Sequence, residues 1–223
     1  MGNRLDRDQV VGTALELLND VGLEGLTLRR IGKELDVQAP ALYWHFKNKQ
    51  DLLDAMATEM LRRMNALQER EQEAEGGSGT GTWQETLAGS HRTLRRVLLA
   101  YRDGAKVYSG TRFTDTSYAI PMERFLAPLV RDGFTPGEAA RAFYTVYCFT
   151  IGYVIEEQSA ADDPGRGVKG IDVAERAERL AEFPLAAAAG AELFGDADAG
   201  FEAGVAAIVA GIAATRERGR KVN

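Results

Sequence analysis

Cysteine is nearly absent from this chain: Cys148 is the one such residue among 223. A lone thiol cannot close an internal disulfide, so no cystine framework supports the fold, and the usage suits a reducing cytoplasm. Histidine is almost as scarce, with His45 and His91 far apart in sequence. No paired-cysteine spacing accompanies them, no glycine-rich phosphate loop precedes a helix, and the adjacent Glu156 and Glu157 would diverge on a helix. These absences argue against an enzyme: no catalytic residue, no cofactor and no metal site is expected. Long apolar runs are missing too. None approaches the ~20 residues that span a bilayer, and residues 1–8 are charged rather than signal-like. A cytoplasmic protein with no membrane partner is expected.

What the chain does have is helical periodicity and an uneven charge distribution. The formal net charge is −6, yet residues 1–49 hold seven basic and seven acidic side chains, so the remainder carries the whole deficit. Within residues 27–49, Arg29, Arg30, Lys33, Lys47 and Lys49 face only Glu34 and Asp36, a local net of +3. An acidic body with a small basic head suits a protein that meets nucleic acid at one end.

That basic stretch reads as two short helices around a tight turn. Thr27 can cap a helix whose apolar positions are Leu28, Ile31 and Leu35. Asp36 and Val37 fill the turn. Gln38 starts a second helix of about two turns, with Pro40 in its first turn and Tyr43, Trp44 and His45 further on. So short a helix cannot bury enough surface to account for two adjacent aromatics. A helix-turn-helix places its second helix in the DNA major groove, where aromatic and basic tips reach phosphates and base edges. A purely structural three-helix cap would explain the aromatics but not the clustered charge.

The other segments also read as helices, with no convincing strand, so the fold class is all-α. Asp6 caps a first helix to about residue 20, with Val10, Ala14, Leu17 and Leu18 inward and a stop at Val21-Gly22. Asn48 caps a connecting helix over about 49–65, with Leu52, Leu53, Met56, Met60 and Leu61 as its stripe. Residues 73–82 are a flexible loop by composition. Further helices follow over 83–100, 103–109 and 115–131, the last broken near Pro121. Thr135-Pro136-Gly137-Glu138 has capping-box spacing and precedes a helix apolar on nearly every side, including Phe143, Val146, Tyr147, Phe149, Ile151, Val154 and Ile155. The last helix, about 200–216, stripes Phe201, Val205, Ile208, Val209 and Ile212, while Gly204, Ala207 and Gly211 leave room for another backbone. Two such helices exceed what one monomer's core needs and suit a four-helix interface between two copies. The expected division is a DNA-binding head over 1–49 and an effector-binding and dimerisation domain over 50–223.

Gly25-Leu26-Thr27-Leu28-Arg29, followed by Leu42-Tyr43-Trp44-His45-Phe46-Lys47-Asn48-Lys49, resembles the DNA-binding domain of TetR-family transcriptional repressors. Tyr101-Arg102-Asp103-Gly104-Ala105-Lys106-Val107, Gly110-Thr111-Arg112 and Phe149-Thr150-Ile151-Gly152-Tyr153-Val154-Ile155-Glu156 resemble its tetracycline repressor subgroup. The likeness spans most of the chain and is weak at about 66–82 and 158–200. It implies an N-terminal helix-turn-helix head, a C-terminal helical ligand-binding and dimerisation domain, and a homodimer on a palindromic double-stranded operator, released by a small organic effector.

By that resemblance Arg29 matches a position that contacts guanine, a match for the arginine fork. Tyr43, His45 and Lys49 match phosphate contacts, which set register without reading sequence. Trp44 matches a residue at the groove edge, and Thr27, Gln38 and Pro40 complete the expected DNA-facing set. Ala39 and Ala41 stand where the tetracycline repressors carry Gln and Thr, and alanine can meet only a thymine methyl. In the effector domain Tyr108, Asn65 and Cys148 replace three histidines. A neutral phenol is a poor anchor for Mg²⁺, so an organic effector without an obligatory metal is expected. The resemblance places Ser90, Leu94, Tyr108, Thr111, Arg112, Phe113, Arg124, Tyr147, Cys148, Asn65 and Glu156 at the effector, and His91 reads as a surface or pocket-rim residue. The aromatics suggest a planar or polyketide-like molecule. A metal-dependent response of tetracycline type stays open through Glu156 and the Thr111-Arg112 turn.

Overall fold

Residues 5–74, 81–161, 163 and 167–222 are described by a computed structural model. Among them are eleven α-helices and no strand, with one isolated antiparallel bridge between Asp163 and Val168. The all-α expectation holds. Its described contacts form two compact units, one from residues 1–79 and 93–124 and one from residues 80–92 and 125–223. The boundary expected at 49/50 falls inside the first unit.

In the first unit, Asp6 accepts the Asp8 N–H at 3.0 Å and starts α1 (Arg7–Gly25). Its inward face buries Val10, Ala14, Leu17 and Leu18 as expected, with Val11 and Leu15 as well. The regular helix stops at Val21-Gly22, as expected, and Gly25 ends a short extension beyond it. Gly22 breaks it at φ 65° and ψ 175°, a conformation open to glycine, and one further turn closes through Leu26 N–H to the Gly22 carbonyl at 3.1 Å. Asn48 accepts the Asp51 N–H at 2.9 Å and caps α4 (Lys49–Ala74). This helix is nine residues longer than expected, because polar residues beyond 65 are held by ion pairs: Glu69 to Arg124 and Glu71 to Arg96. Leu52, Met56, Met60 and Leu61 are buried, and Leu53 is half-buried. Most of the loop expected over 73–82 lies outside the described residues. Helix α5 (Trp83–Leu99) supplies residues to both units, and α6 (Gly104–Tyr108) belongs to the first.

The second unit contains most of α7 (Ala119–Arg131), then α8 (Pro136–Ala160), α9 (Val173–Arg179), α10 (Pro184–Phe194) and α11 (Ala197–Val222). Helix α7 is shorter than expected and is not broken at Pro121, which sits in its first turn, where a missing N–H costs nothing. Residues 115–118 instead form a turn around Asp115, which accepts the Ser117 N–H at 2.8 Å. The capping box is complete: Thr135 accepts from Glu138 N–H at 3.3 Å, and Glu138 accepts from Thr135 N–H at 2.7 Å. Trp83, Leu87, Phe125, Leu129, Phe134, Ala142, Val146, Phe201 and Val205 form the core.

Gly204 does leave room, but not for a backbone: a Cβ there would lie 2.2 Å from the Phe149 ring, so the space is filled by an aromatic of α8. Gly200 accommodates Tyr153 in the same way, and the Tyr153 hydroxyl donates to the Ala197 carbonyl at 2.9 Å. Contrary to the expectation that no segment could span a bilayer, Ala197–Arg218 is long and apolar enough by length and composition, with a mean hydropathy of 1.5. Only 17% of that stretch is buried within the chain.

Candidate nucleic-acid interface and its coupling segment

The head is built around buried anchors. Thr27 accepts the Arg30 N–H at 3.2 Å and caps α2 (Leu28–Glu34), with Ile31 buried beneath it. Asp36 then takes φ 51°, a left-handed turn that an aspartate tolerates, and Val37 N–H closes on the Gly32 carbonyl at 2.8 Å. Gln38 precedes α3 (Ala39–Leu42) without a side-chain cap.

Helix α3 is one turn rather than two. Beyond it, His45 and Phe46 N–H both close on the Leu42 carbonyl at 3.0 Å in a turn, and Arg7 donates to the His45 carbonyl. The Arg7 guanidinium also stacks over the Phe46 ring at 4.3 Å and donates to Asp51 at 2.9 Å. Burial pushes the Asp51 carboxyl up, but Arg7 and the Lys47 N–H more than offset it and hold its pKa below the usual carboxylate range.

With Leu42 and Phe46 fully buried, Tyr43 and Trp44 between them are turned out: Trp44 is 91% exposed and Tyr43 59%. Arg29, Gln38, Pro40 and Lys49 are exposed, and Ala41 and His45 are half-buried. The side chain of Ala39 lies outside the described residues. Arg29 has no hydrogen-bond or ion-pair partner among the described residues, so its fork is available to a ligand. Lys49 is less free than expected, since its ammonium donates to the Leu23 carbonyl at 2.8 Å, with two further N–H groups left over.

Residues 103–113, which the resemblance leads one to expect against the helix over 48–65, lie in a segment that fastens the head to the rest of the first unit. Asp103, at φ 56° and buried, accepts the Leu23 N–H at 3.0 Å and the Lys106 ammonium at 2.9 Å. Arg102 N–H donates to Asn19 at 2.8 Å, and its guanidinium donates to the Asp20 carbonyl at 3.0 Å. Further on, Arg112 N–H donates to Asp54 at 3.1 Å, Thr114 N–H donates to the buried Thr58 hydroxyl at 2.9 Å, and Arg62 pairs with Asp115. Residues 100–115 are thus tied both to the end of α1 and to α4. The partners lie 53 to 83 residues apart in sequence, so no local pattern announces them.

The expected effector residues divide between the units. Asn65, Leu94, Tyr108, Thr111, Arg112, Phe113 and Arg124 are in the first, and Ser90, Tyr147, Cys148 and Glu156 in the second. Within the first unit the structure brings three together: the Thr111 hydroxyl donates to the Tyr108 carbonyl at 2.8 Å, and the Tyr108 ring meets Phe113 at 5.8 Å. Phe113 in turn stacks on Tyr118, an aromatic the sequence reading passed over. Arg124 is committed to Glu69. Leu94 is buried, while Cys148 and Glu156 are exposed. Ser90 donates to the Thr86 carbonyl at 2.9 Å, and Tyr147, its phenol pKa pushed up by burial, stacks on Phe143. His91 is not a surface residue. It is 1% exposed, lies between the rings of Phe125 and Phe143, and has Nδ1 2.7 Å from the Leu87 carbonyl. Burial, only partly offset by the Leu87 and Phe143 carbonyls, lowers its pKa to about 4.

A capped helix, a left-handed turn and a one-turn second helix that exposes aromatic and basic side chains define a helix-turn-helix regulator with an all-helical body. Residues 10–56 match the bacterial regulatory proteins of the tetR family, and residues 75–216 match the tetracyclin repressor-like C-terminal domain. The chain belongs to the TetR family of transcriptional regulators, which are not enzymes. It is similar to the Escherichia coli tetracycline repressor protein class C, 41% identical over 212 residues that cover 94% of this chain and 91% of that protein. Among solved structures it is similar to a possible TetR family transcriptional regulator from Streptomyces coelicolor A3(2), with a TM-score of 0.79 and 40% identity over 94% of this chain and 100% of that one. A TetR variant from Acinetobacter baumannii AYE in complex with minocycline gives a TM-score of 0.67 and 33% identity, over 95% of this chain and 98% of that one.

Proposed function

We propose that this regulator is a cytoplasmic repressor that binds a near-palindromic double-stranded operator as a homodimer and leaves it when a small organic effector binds. The observation that carries the reading is Arg29, exposed and without a partner among the described residues, together with the exposed Tyr43 and Trp44, in a stretch, residues 27–49, of local charge +3 within a chain of net charge −6. Arginine reads guanine through O6 and N7, and the surrounding cations grip phosphate. The homodimer is supported by the open face of α11, where Ala206, Ala207, Ala210 and Gly211 are exposed on a largely apolar helix. Such a face is covered in stable proteins. A dimer also reads two half-sites one or more helical turns apart, each turn ~34–36 Å.

The effector reading extends the minocycline complex of a relative to this chain, with a planar, aromatic or polyketide-like molecule as the ligand. Tyr108, Asn65 and Cys148 supply no metal-anchoring imidazole, which supports a metal-independent response. Bonds from residues 100–115 to α1 and α4 give such a ligand a route to the head: a shift of this segment tilts α4. The ligand can act only through different affinities for the two states, so it must bind the operator-bound protein more weakly by the factor it weakens DNA binding.

Operator variants test the reading residue by residue. Arg29→Ala is expected to cost roughly 1–3 kcal/mol and to relax preference at one base pair of each half-site. Lys49→Ala should weaken all sequences alike and flatten the dependence of affinity on salt. A uniform loss with Arg29→Ala across operator variants would contradict the base-reading role.

A further inference from the structure

We infer that Arg7 is a positioning residue for DNA binding: it holds the turn that carries Tyr43, Trp44 and His45 in its working orientation without touching the duplex itself. The inference rests on the DNA-reading role proposed above. Residues 43–48, between α3 and α4, are turn and bend rather than helix, so no helical ladder fixes their direction. Within the stretch, the His45 and Phe46 N–H groups share one acceptor, the Leu42 carbonyl. A second hold comes from the start of α1. One terminal nitrogen of Arg7 donates to the His45 carbonyl, and the other donates to Asp51 at 2.9 Å. The same guanidinium lies 4.3 Å from the centre of the fully buried Phe46 ring. Asp51, in the first turn of α4, also accepts the Lys47 N–H at 3.0 Å. One side chain thus joins α1 to the backbone of the turn, to its buried ring and to the helix that follows.

Arg7 is half-buried, and with both terminal nitrogens engaged its fork is not free for a base or a phosphate. Arg29 stands apart from this clamp, on α2, which Thr27 caps and the buried Ile31 anchors. Loss of Arg7 therefore separates two kinds of contact. The fork of Arg29 keeps its place, while Tyr43 and His45 sit on a turn that must be ordered at each binding event, at an entropic cost. Lysine is no substitute, since an ammonium cannot lie flat on a ring while donating to both sides from one plane.

The test uses the full-length protein and the duplex it selects from random DNA. Each phosphate is replaced in turn by an uncharged methylphosphonate, and the guanine read by Arg29 by 7-deazaguanine, which removes the N7 acceptor. The phosphate gripped by Tyr43 is the one whose methylphosphonate penalty falls in Tyr43→Phe. Arg7→Lys and Arg7→Gln should each bind the unmodified duplex about ten-fold more weakly. In both, the penalty at the Tyr43 phosphate should shrink to less than about half, while the 7-deazaguanine penalty stays that of the wild type. Each penalty is a ratio within one variant, so a reduced folded fraction cancels from it. A loss that lowers affinity for every duplex by one factor and leaves all penalties intact is a folding defect and overturns the positioning role, as does unchanged affinity. Either result leaves DNA recognition standing. Failure of the wild type to enrich any duplex overturns both.

Discussion

Replacing Gly104 by alanine should cost more than ~3 kcal/mol of stability and abolish operator binding with it. A Cβ at this position would lie 2.2 Å from the Leu98 carbonyl oxygen and 3.1 Å from the Tyr101 Cβ. Neither neighbour can step aside, since Leu98 is fully buried and Tyr101 accepts the Gly104 N–H at 2.9 Å through its backbone carbonyl. The clash forces apart the end of α5 and the start of α6, which displaces Asp103 from the Leu23 N–H and loosens the head. Gly12→Ala is the control. Its Cβ meets nothing within 4 Å, it lies inside α1, and it should stabilise by up to ~1 kcal/mol. Thermal unfolding followed by circular dichroism distinguishes the two, and a Gly104→Ala protein that melts with the wild type would refute the packing argument.

Acid should destabilise the second unit through His91, by roughly 3 kcal/mol between about pH 6.5 and pH 4. The folded pKa is about 4 because the imidazole is buried between Phe125 and Phe143. The unfolded chain therefore takes up the proton first as pH falls through 6.5, and folding stability declines until the native histidine is protonated near pH 4. Above pH 6.5 both states hold it neutral and the effect is gone. Carboxylates titrate over part of the same range, so the quantity to compare is the difference between wild type and His91→Leu in urea unfolding at each pH. A difference that stays constant from pH 7 to pH 4.5 would show that the imidazole is hydrated rather than buried.

The helices legible in the sequence were those with chemical punctuation. Thr27, Asn48 and the Thr135–Glu138 capping box mark true starts, because an N-cap works through bonds to residues two or three positions away. The same signal was available at Asp172, which accepts the Ala174 and Glu175 N–H groups and starts α9, but it was passed over with α10. The alanine-rich α10 is apolar around most of its circumference, exposes Leu185 and Leu193, and offers no periodic face to read. What the sequence could not display were tertiary effects: Arg7 reaching the His45 carbonyl, Phe149 filling the space at Gly204, and the burial of His91. At the candidate interface, the exposed Arg29 and Trp44 were legible because their neighbours Ile31, Leu42 and Phe46 kept helical spacing. The contact of residues 103–113 with α4 was expected only through the resemblance, and the individual bonds to α1 and α4 were not legible, since they join groups far apart in the chain.

Titration of a fluorescent operator duplex with the full-length protein, together with a sedimentation measurement of the complex, tests the central claim most directly. The expected result is two chains per operator and an affinity at least ~10³-fold above that for a scrambled duplex at the same salt concentration. One chain per duplex, or equal affinity for both sequences, would contradict it.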